Sequence, residues 1–107
     1  MRTIIYGDDD EKKKTLVMTH GYLLGAVCFF KIMKSLSEHY RLVMFDNLGY
    51  GLNTQRQECP AVAEGLDACE DWLIEWWEKL IDALNLPEKF LLAAHSMGGY
   101  QAMLYAS

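Results

Sequence analysis

Three short, nearly continuous apolar runs confine this chain to few folds: Thr15-Leu16-Val17-Met18-Thr19, Arg41-Leu42-Val43-Met44-Phe45 and Lys89-Phe90-Leu91-Leu92-Ala93-Ala94. Runs of this kind suit strands covered on both faces, as in a parallel sheet. Between them the period changes. From Val27 to Glu38, the residues Phe29, Ile32, Met33 and Leu36 recur at helical spacing and predict one apolar stripe. Farther on, Leu73, Trp76, Trp77, Leu80, Ile81 and Leu84 form a broad apolar face, ended by Asn85 and Pro87. Parallel neighbours need a long crossover, and a helix usually supplies it.

Two further elements frame this alternation. Arg2 to Tyr6 has the β-branched and aromatic character of a strand, closed by Gly7 and an acidic run. Tyr100 to Ala106 begins a last helix. The predicted order is strand-strand-helix-strand-helix-strand-helix, an α/β class with a mostly parallel sheet and flanking helices. Residues 52–66 hold Pro60 and Gly65 without a clear period and read as a long connection. Asp67 and Glu70 have the spacing of a capping box with Asp as the cap. Trp72, Trp76 and Trp77 at helical spacing read as core rather than as a ligand-stacking platform.

Composition narrows the function classes. A length of 107 residues suits one small domain, and 51% hydrophobic with 23% charged residues is a folded, water-soluble composition. The net charge of −5 argues against nucleic acid, which wants a clustered basic surface. Lys12-Lys13-Lys14 follows Asp8-Asp9-Asp10-Glu11, so the two blocks cancel and read as a solvated loop. Cys28, Cys59 and Cys69 have neither metal-ligand nor disulfide-framework spacing. Reduced thiols and no signal-peptide pattern at the start predict an intracellular protein, cytoplasmic or organellar. No apolar run approaches the roughly 20 residues of a membrane span. No metal or cofactor is expected, since no His, Cys or carboxylate cluster has ligand spacing and no glycine pattern has phosphate-loop spacing.

In open sheets of this kind ligands bind beyond the carboxyl ends of the strands. Three loops lie there: His20-Gly21-Tyr22, Asp46 to Gly51, and His95 to Gly99. The last, Ala94-His95-Ser96-Met97-Gly98, is a G-x-S-x-G pattern with alanine at its first small position. A serine hydroxyl needs a base in reach, a group to orient that base, and donors for the developing oxyanion. A tight strand-to-helix turn exposes the hydroxyl and aims the helix N-terminus at the same spot. Ser96 is therefore the candidate nucleophile. The expected oxyanion donors are the N–H of Met97 and that of Tyr22 or Leu23. Two duller readings compete: Ser96 as an ordinary helix cap, and His20-Gly21 as a simple strand end.

From Thr15 to Ser107 the sequence resembles the α/β-hydrolase fold family. The resemblance rests on Thr19-His20-Gly21-Tyr22, on Phe45-Asp46-Asn47-Leu48-Gly49-Tyr50-Gly51 and on Ala94-His95-Ser96-Met97-Gly98-Gly99, in that order. The middle motif is similar to the family's D-x-x-G-x-G-x-S loop, with Asn53 where serine is usual. Leu48 and Glu75-Trp76 resemble the branch of lipid esterases and acyltransferases related to N-acylphosphatidylethanolamine lipase. The resemblance implies a serine esterase or lipase acting on an acyl ester or lipid. It implies structural roles for His20, Gly21, Asp46, Gly49, Gly51, His95, Gly98 and Gly99.

In the family the acid and the histidine follow the nucleophile. The resemblance thus implies that residues 1–107 are a partial domain, the N-terminal half, inactive alone. The expected alternative is a non-catalytic accessory or scaffold subunit, with another protein completing the sheet at its open edge.

Overall fold

In a computed structural model that describes residues 2–7, 10–53 and 64–107, four strands form one sheet. They are β1 (Thr3–Tyr6), β2 (Lys14–Thr19), β3 (Tyr40–Phe45) and β4 (Leu91–Ala94), in the spatial order β1-β3-β2-β4. β2 runs parallel to both β3 and β4, while β1 pairs antiparallel with β3. Three helices complete the layers: α1 (Phe30–Ser37), α2 (Leu66–Leu84) and α3 (Met97–Ala106).

The continuous apolar runs separate into two faces, because side chains alternate along a strand. On one face Val17, Val43 and Phe45 pack under Trp77 and Leu80 of α2 and Ala102 of α3. On the other, Leu16, Met18, Leu42 and Met44 pack against Ala26, Phe29, Met33 and Leu36. Both faces are covered, so both sets of alternate positions are buried, and the polar Thr19 among them has its hydroxyl bonded to Asn47. Trp77 is fully buried, with its ring 5.2 Å from Phe45 and stacked 5.4 Å from Tyr105. Its indole N–H donates to the Gln101 amide oxygen at 3.2 Å. Trp77 is therefore core, with Trp76 packed half-buried against the same cluster, while Trp72 is half-buried and lies outside it.

Four expectations change in detail. The stretch predicted as a helix from Val27 opens with a 3-10 turn, Ala26–Phe29, and becomes α-helical at Phe30. Ile32 leaves the predicted stripe and is exposed, so the covered face narrows to Phe29, Met33 and Leu36. Asp67 lies inside the first turn of α2, whose N-cap is Gly65 with no side-chain cap bond. Glu70 accepts instead from the Tyr100 hydroxyl, tying α2 to α3 and pushing that phenol up from its ordinary range. The run at β4 was expected to be buried, yet Leu91 is exposed: β4 pairs with β2 on one side and with no other described strand.

Asn85 ends α2 in the left-handed conformation, φ 48° and ψ 51°, as asparagine tolerates. Most of the long connection, with Cys59 and Pro60, lies outside the described residues, as do Asp8 and Asp9 of the acidic run. No helix among the described residues is long and apolar enough to cross a membrane.

Trp77→Ala is expected to lower unfolding free energy by about 3–5 kcal/mol, the usual cost of emptying a large aromatic site. Exposed Glu78→Ala on the same helix should stay within about 0.5 kcal/mol. Urea titrations of both variants test this. Equal, small losses would mean the ring is not core.

Candidate active site at the strand ends

The register decides where the loops begin. Thr19 pairs with Phe45 on one side and with Ala94 on the other, so β2, β3 and β4 end flush. The next residues in line are His20, Asp46 and His95, then Gly21, Asn47 and Ser96. β3 lies on one side of β2 and β4 on the other. The sheet's winding thus reverses between β2 and β4, the place where such sheets bind ligands. The loops after β2 and β4 meet there. A Cβ built on Gly21 would sit 3.1 Å from the Ser96 Cβ and 2.8 Å from the His95 ring.

Ser96 departs from an ordinary helix cap. It occupies the N-cap of α3 but makes no side-chain cap bond, and its backbone is at φ 54°, ψ −120°. Positive φ is costly for a residue with a Cβ, and such strain concentrates at functional sites. The Ser96 residue is exposed. Its carbonyl accepts from the Gly99 and Tyr100 amides, and the His95 carbonyl from the Gly98 amide. Met97 is the first residue of α3, so its N–H is one the helix leaves without an internal partner. In the neighbouring turn Leu24 N–H donates to Gly21 C=O, at 3.3 Å. That bond does not use the amides of Tyr22 and Leu23, the turn's two central residues.

Gly98 is required by packing. A Cβ there would strike the His20 carbonyl and lie 3.0 Å from the Thr19 side chain. Gly99 differs from the expectation of a structural glycine: nothing lies within 4 Å of where its Cβ would be. It lines an apolar groove with Leu92, Ala94, Ala102, Met103 and Ala106. Gly49 likewise has open space around it, but its φ of 82° favours glycine.

Beneath the surface a polar network binds the loops together. His20 is fully buried. Its Nε2 accepts the Asn47 N–H at 2.8 Å, which leaves Nδ1 to donate to the Gly21 carbonyl at 2.8 Å. Both ring nitrogens are thus committed, and His20 is not placed as a base for Ser96. Asn47 also donates to the His20 carbonyl at 2.9 Å and accepts from the Thr19 hydroxyl at 2.9 Å. Asp46, equally buried, accepts Ala26 N–H through Oδ1 at 2.7 Å and Leu52 N–H through Oδ2 at 2.8 Å. Gly51, at φ 59°, comes so close that any Cβ would run into that carboxylate. Asn53 donates to the Asp46 carbonyl at 3.3 Å.

Asp46 is therefore spent on loop geometry, with both oxygens taken by backbone amides. Asn47 escaped the sequence reading. Its side-chain partners, Thr19 and His20, lie 28 and 27 residues away, so nothing beside it in sequence marked it. Weak acids nearby are held protonated. Burial, then the Tyr22 hydroxyl, pushes the Tyr50 phenol up; burial, then the Asp46 carboxylate, raises the Cys28 thiol. Among the described residues no cluster of His, Cys, Asp and Glu could hold a metal ion.

Known proteins share this arrangement. The sequence model of the alpha/beta hydrolase fold matches residues 14–107. The chain is 36% identical over 100 residues to a 1-acylglycerol-3-phosphate O-acyltransferase of Arabidopsis thaliana, covering 92% of this chain and 23% of that protein. It is 31% identical over 104 residues to the human (lyso)-N-acylphosphatidylethanolamine lipase, covering 97% and 29% respectively. Among solved structures, a bacterial membrane phospholipase A superposes with a TM-score of 0.73 at 27% identity, covering 97% of this chain and 30% of that one. The chain thus spans about a quarter of the length of the curated relatives it matches.

Asp46→Ala strands two amides and is expected to cost about 2–5 kcal/mol. Asp46→Asn keeps one acceptor and sets an N–H₂ against the other amide, so it should also destabilise. Denaturant unfolding checks both. An Asp46→Asn protein as stable as the wild type would contradict the two-amide role.

Proposed function

We propose, because this chain belongs to the α/β-hydrolase fold family, that Ser96 is the nucleophile of a serine hydrolase acting on a carboxylic ester, foremost an acyl lipid. The observation that carries this is the backbone of Ser96, strained, exposed and uncapped at the start of α3. A strained residue on a strand-to-helix turn is what a nucleophile elbow requires, which supports this reading. In this reading Ser96 Oγ attacks the ester carbonyl and gives its proton to a histidine base. The Met97 amide and that of Tyr22 or Leu23 hold the oxyanion, in the manner of the general triad template. The alcohol then leaves with the proton, and the acyl group stays on Ser96 until water or a second alcohol takes it.

The triad base and acid lie outside these 107 residues in this proposal. The histidines present are occupied or poorly placed. His20 is committed at both nitrogens, and His39 lies beyond α1 beside Tyr40. His95 precedes Ser96, with its ring against Gly21. Lipid esters as substrates are supported by two matched relatives, a lipase and an acyltransferase.

A second reading is favoured by β4. Its outer edge pairs with no described strand, and an apolar groove of about 410 Å³ runs between β4 and α3. Both sheet faces are covered, so in this reading the chain is a non-catalytic accessory subunit whose open β4 edge receives another protein.

A fluorophosphonate probe separates the two. In the intact protein, labelling at Ser96 is expected and should vanish in Ser96→Ala, with ester turnover falling about a thousandfold or more. A folded protein that resists the probe and binds a partner tightly along β4 would favour the accessory subunit.

A further inference from the structure

Along the chain, Lys12-Lys13-Lys14 are balanced by the acids before them, but the fold adds cations from elsewhere. At the end of the sheet opposite Ser96, about 17 Å away along β2, the three lysines meet Arg41 of β3 and Lys89, which precedes β4. All five line one cleft of about 400 Å³. Two described carboxylates, Asp10 and Glu11, line it with them. That of Asp10 accepts the Lys12 amide at 2.9 Å and so closes its own turn. Cations therefore outnumber acids in the lining. The cleft is framed chiefly by the amino ends of β2 and β3. Each of these strands is paired on both sides, so the cleft is separate from the open edge of β4.

Strand register holds like charges together there. Leu16 pairs with Leu91, which sets Lys14 opposite Lys89 two residues earlier. Two ammonium groups at neighbouring positions repel unless an anion lies between them. Lys12, Lys14 and Lys89 form no ion pair among the described residues. Lys13 is fixed, its ammonium donating to the Ser37 carbonyl at 2.9 Å. Among these cations stands Thr15, 4% exposed and paired across the sheet with Arg41. Its hydroxyl has no hydrogen-bond partner among the described residues, whereas every fully enclosed side-chain polar atom has one. The hydroxyl is therefore not enclosed, and it opens into the cleft that Thr15 lines. A buried residue whose hydroxyl is left without a protein partner is set to bond a ligand.

We propose that this cleft, framed by Thr15, Lys14 and Lys89, binds a small anion carrying two or more phosphate groups. Lysine ammonium groups and a threonine hydroxyl are donors that phosphate oxygens accept, and charge-assisted bonds of this kind are the strong ones. Several cations around one cavity match an anion of more than one charge. A compact ligand fits better than an extended one. The chain as a whole carries −5 and repels a long polyanion such as nucleic acid, while a cleft of about 400 Å³ has the size of a small-molecule site. The site lies away from Ser96 and does not depend on the hydrolase reading.

Isothermal titration of the intact protein with inorganic pyrophosphate tests this. Saturable binding is expected, and inorganic phosphate should bind about tenfold or more weakly, since it engages fewer ammonium groups. The Lys14→Gln/Lys89→Gln variant should bind pyrophosphate about tenfold or more weakly, because two charge-assisted bonds are lost. Both lysines are exposed, so this variant should stay folded. Thr15→Val keeps the shape of the side chain and should weaken binding about threefold or more. Ser96→Ala, and Lys79→Gln on α2 outside the cleft, should bind like the wild type. Competition by vesicles that contain a phosphoinositide would identify a lipid headgroup as the source of the phosphates; pyrophosphate binding that such vesicles leave untouched would identify a free phosphate compound. No saturable binding by the wild type, wild-type affinity in either cleft variant, or an equal loss in Lys79→Gln would each overturn the proposal. Any of these would leave fluorophosphonate labelling at Ser96 unaffected.

Discussion

Three parallel strands that end in the same row are the constraint on which the rest depends. Because Thr19, Phe45 and Ala94 are in register, the chain leaves the sheet three times at one height. Backbone groups freed there must find partners, since buried polar groups left unpaired are costly. His20, Asp46 and Asn47 supply them, so that every described buried side-chain polar atom has a partner. Ser96 sits at the surface of this network, and its strained backbone is held by what lies beneath it. The Gly98 contact with Thr19 and His20 presses α3 onto the end of β2. This leaves the turn little room to relax.

The same sheet separates two kinds of surface. Its faces are apolar and covered by helices, with α1 on one side and α2 and α3 on the other. Its ends differ: one is lined by lysines and acids, while residues 21–30, 47–53 and 95–99 beside Ser96 hold no Asp, Glu, Lys or Arg. In the proposed hydrolase reading, apolar neighbours around Ser96 weaken competition by water, because donors aimed at an oxyanion act more strongly in a medium of low dielectric.

Much of this was legible in the residues. Strand runs, helical periods and the order of three loop motifs are local or additive signals, and they led to the α/β class and to the family that the alpha/beta hydrolase match shows. The details that changed share a cause. Ile32 is exposed because only Phe29, Met33 and Leu36 of its stripe meet the sheet. Glu70 bonds to Tyr100 in place of closing a capping box, since Gly65 takes the cap position. Gly99 stands in open space although its sequence neighbour Gly98 is tightly enclosed. In each case a partner distant in sequence decided, and spacing along the chain carries no information about such partners. Asn47 belongs here as well. It is held by Thr19 and His20, and nothing beside it in sequence marks it.

By itself the sequence determined the type of each long element, the two-sided burial of the strands and the positions of three loop motifs. Those follow from hydrophobic period and turn chemistry, which act over a few residues. Only the tertiary structure decided that Gly21 lies against Ser96 and that Asp46 is consumed by two loops. These depend on strand register and on packing between segments more than twenty residues apart, such as Trp77 and Gln101, 24 apart. A chain's local preferences leave that register open until both faces of the sheet are buried.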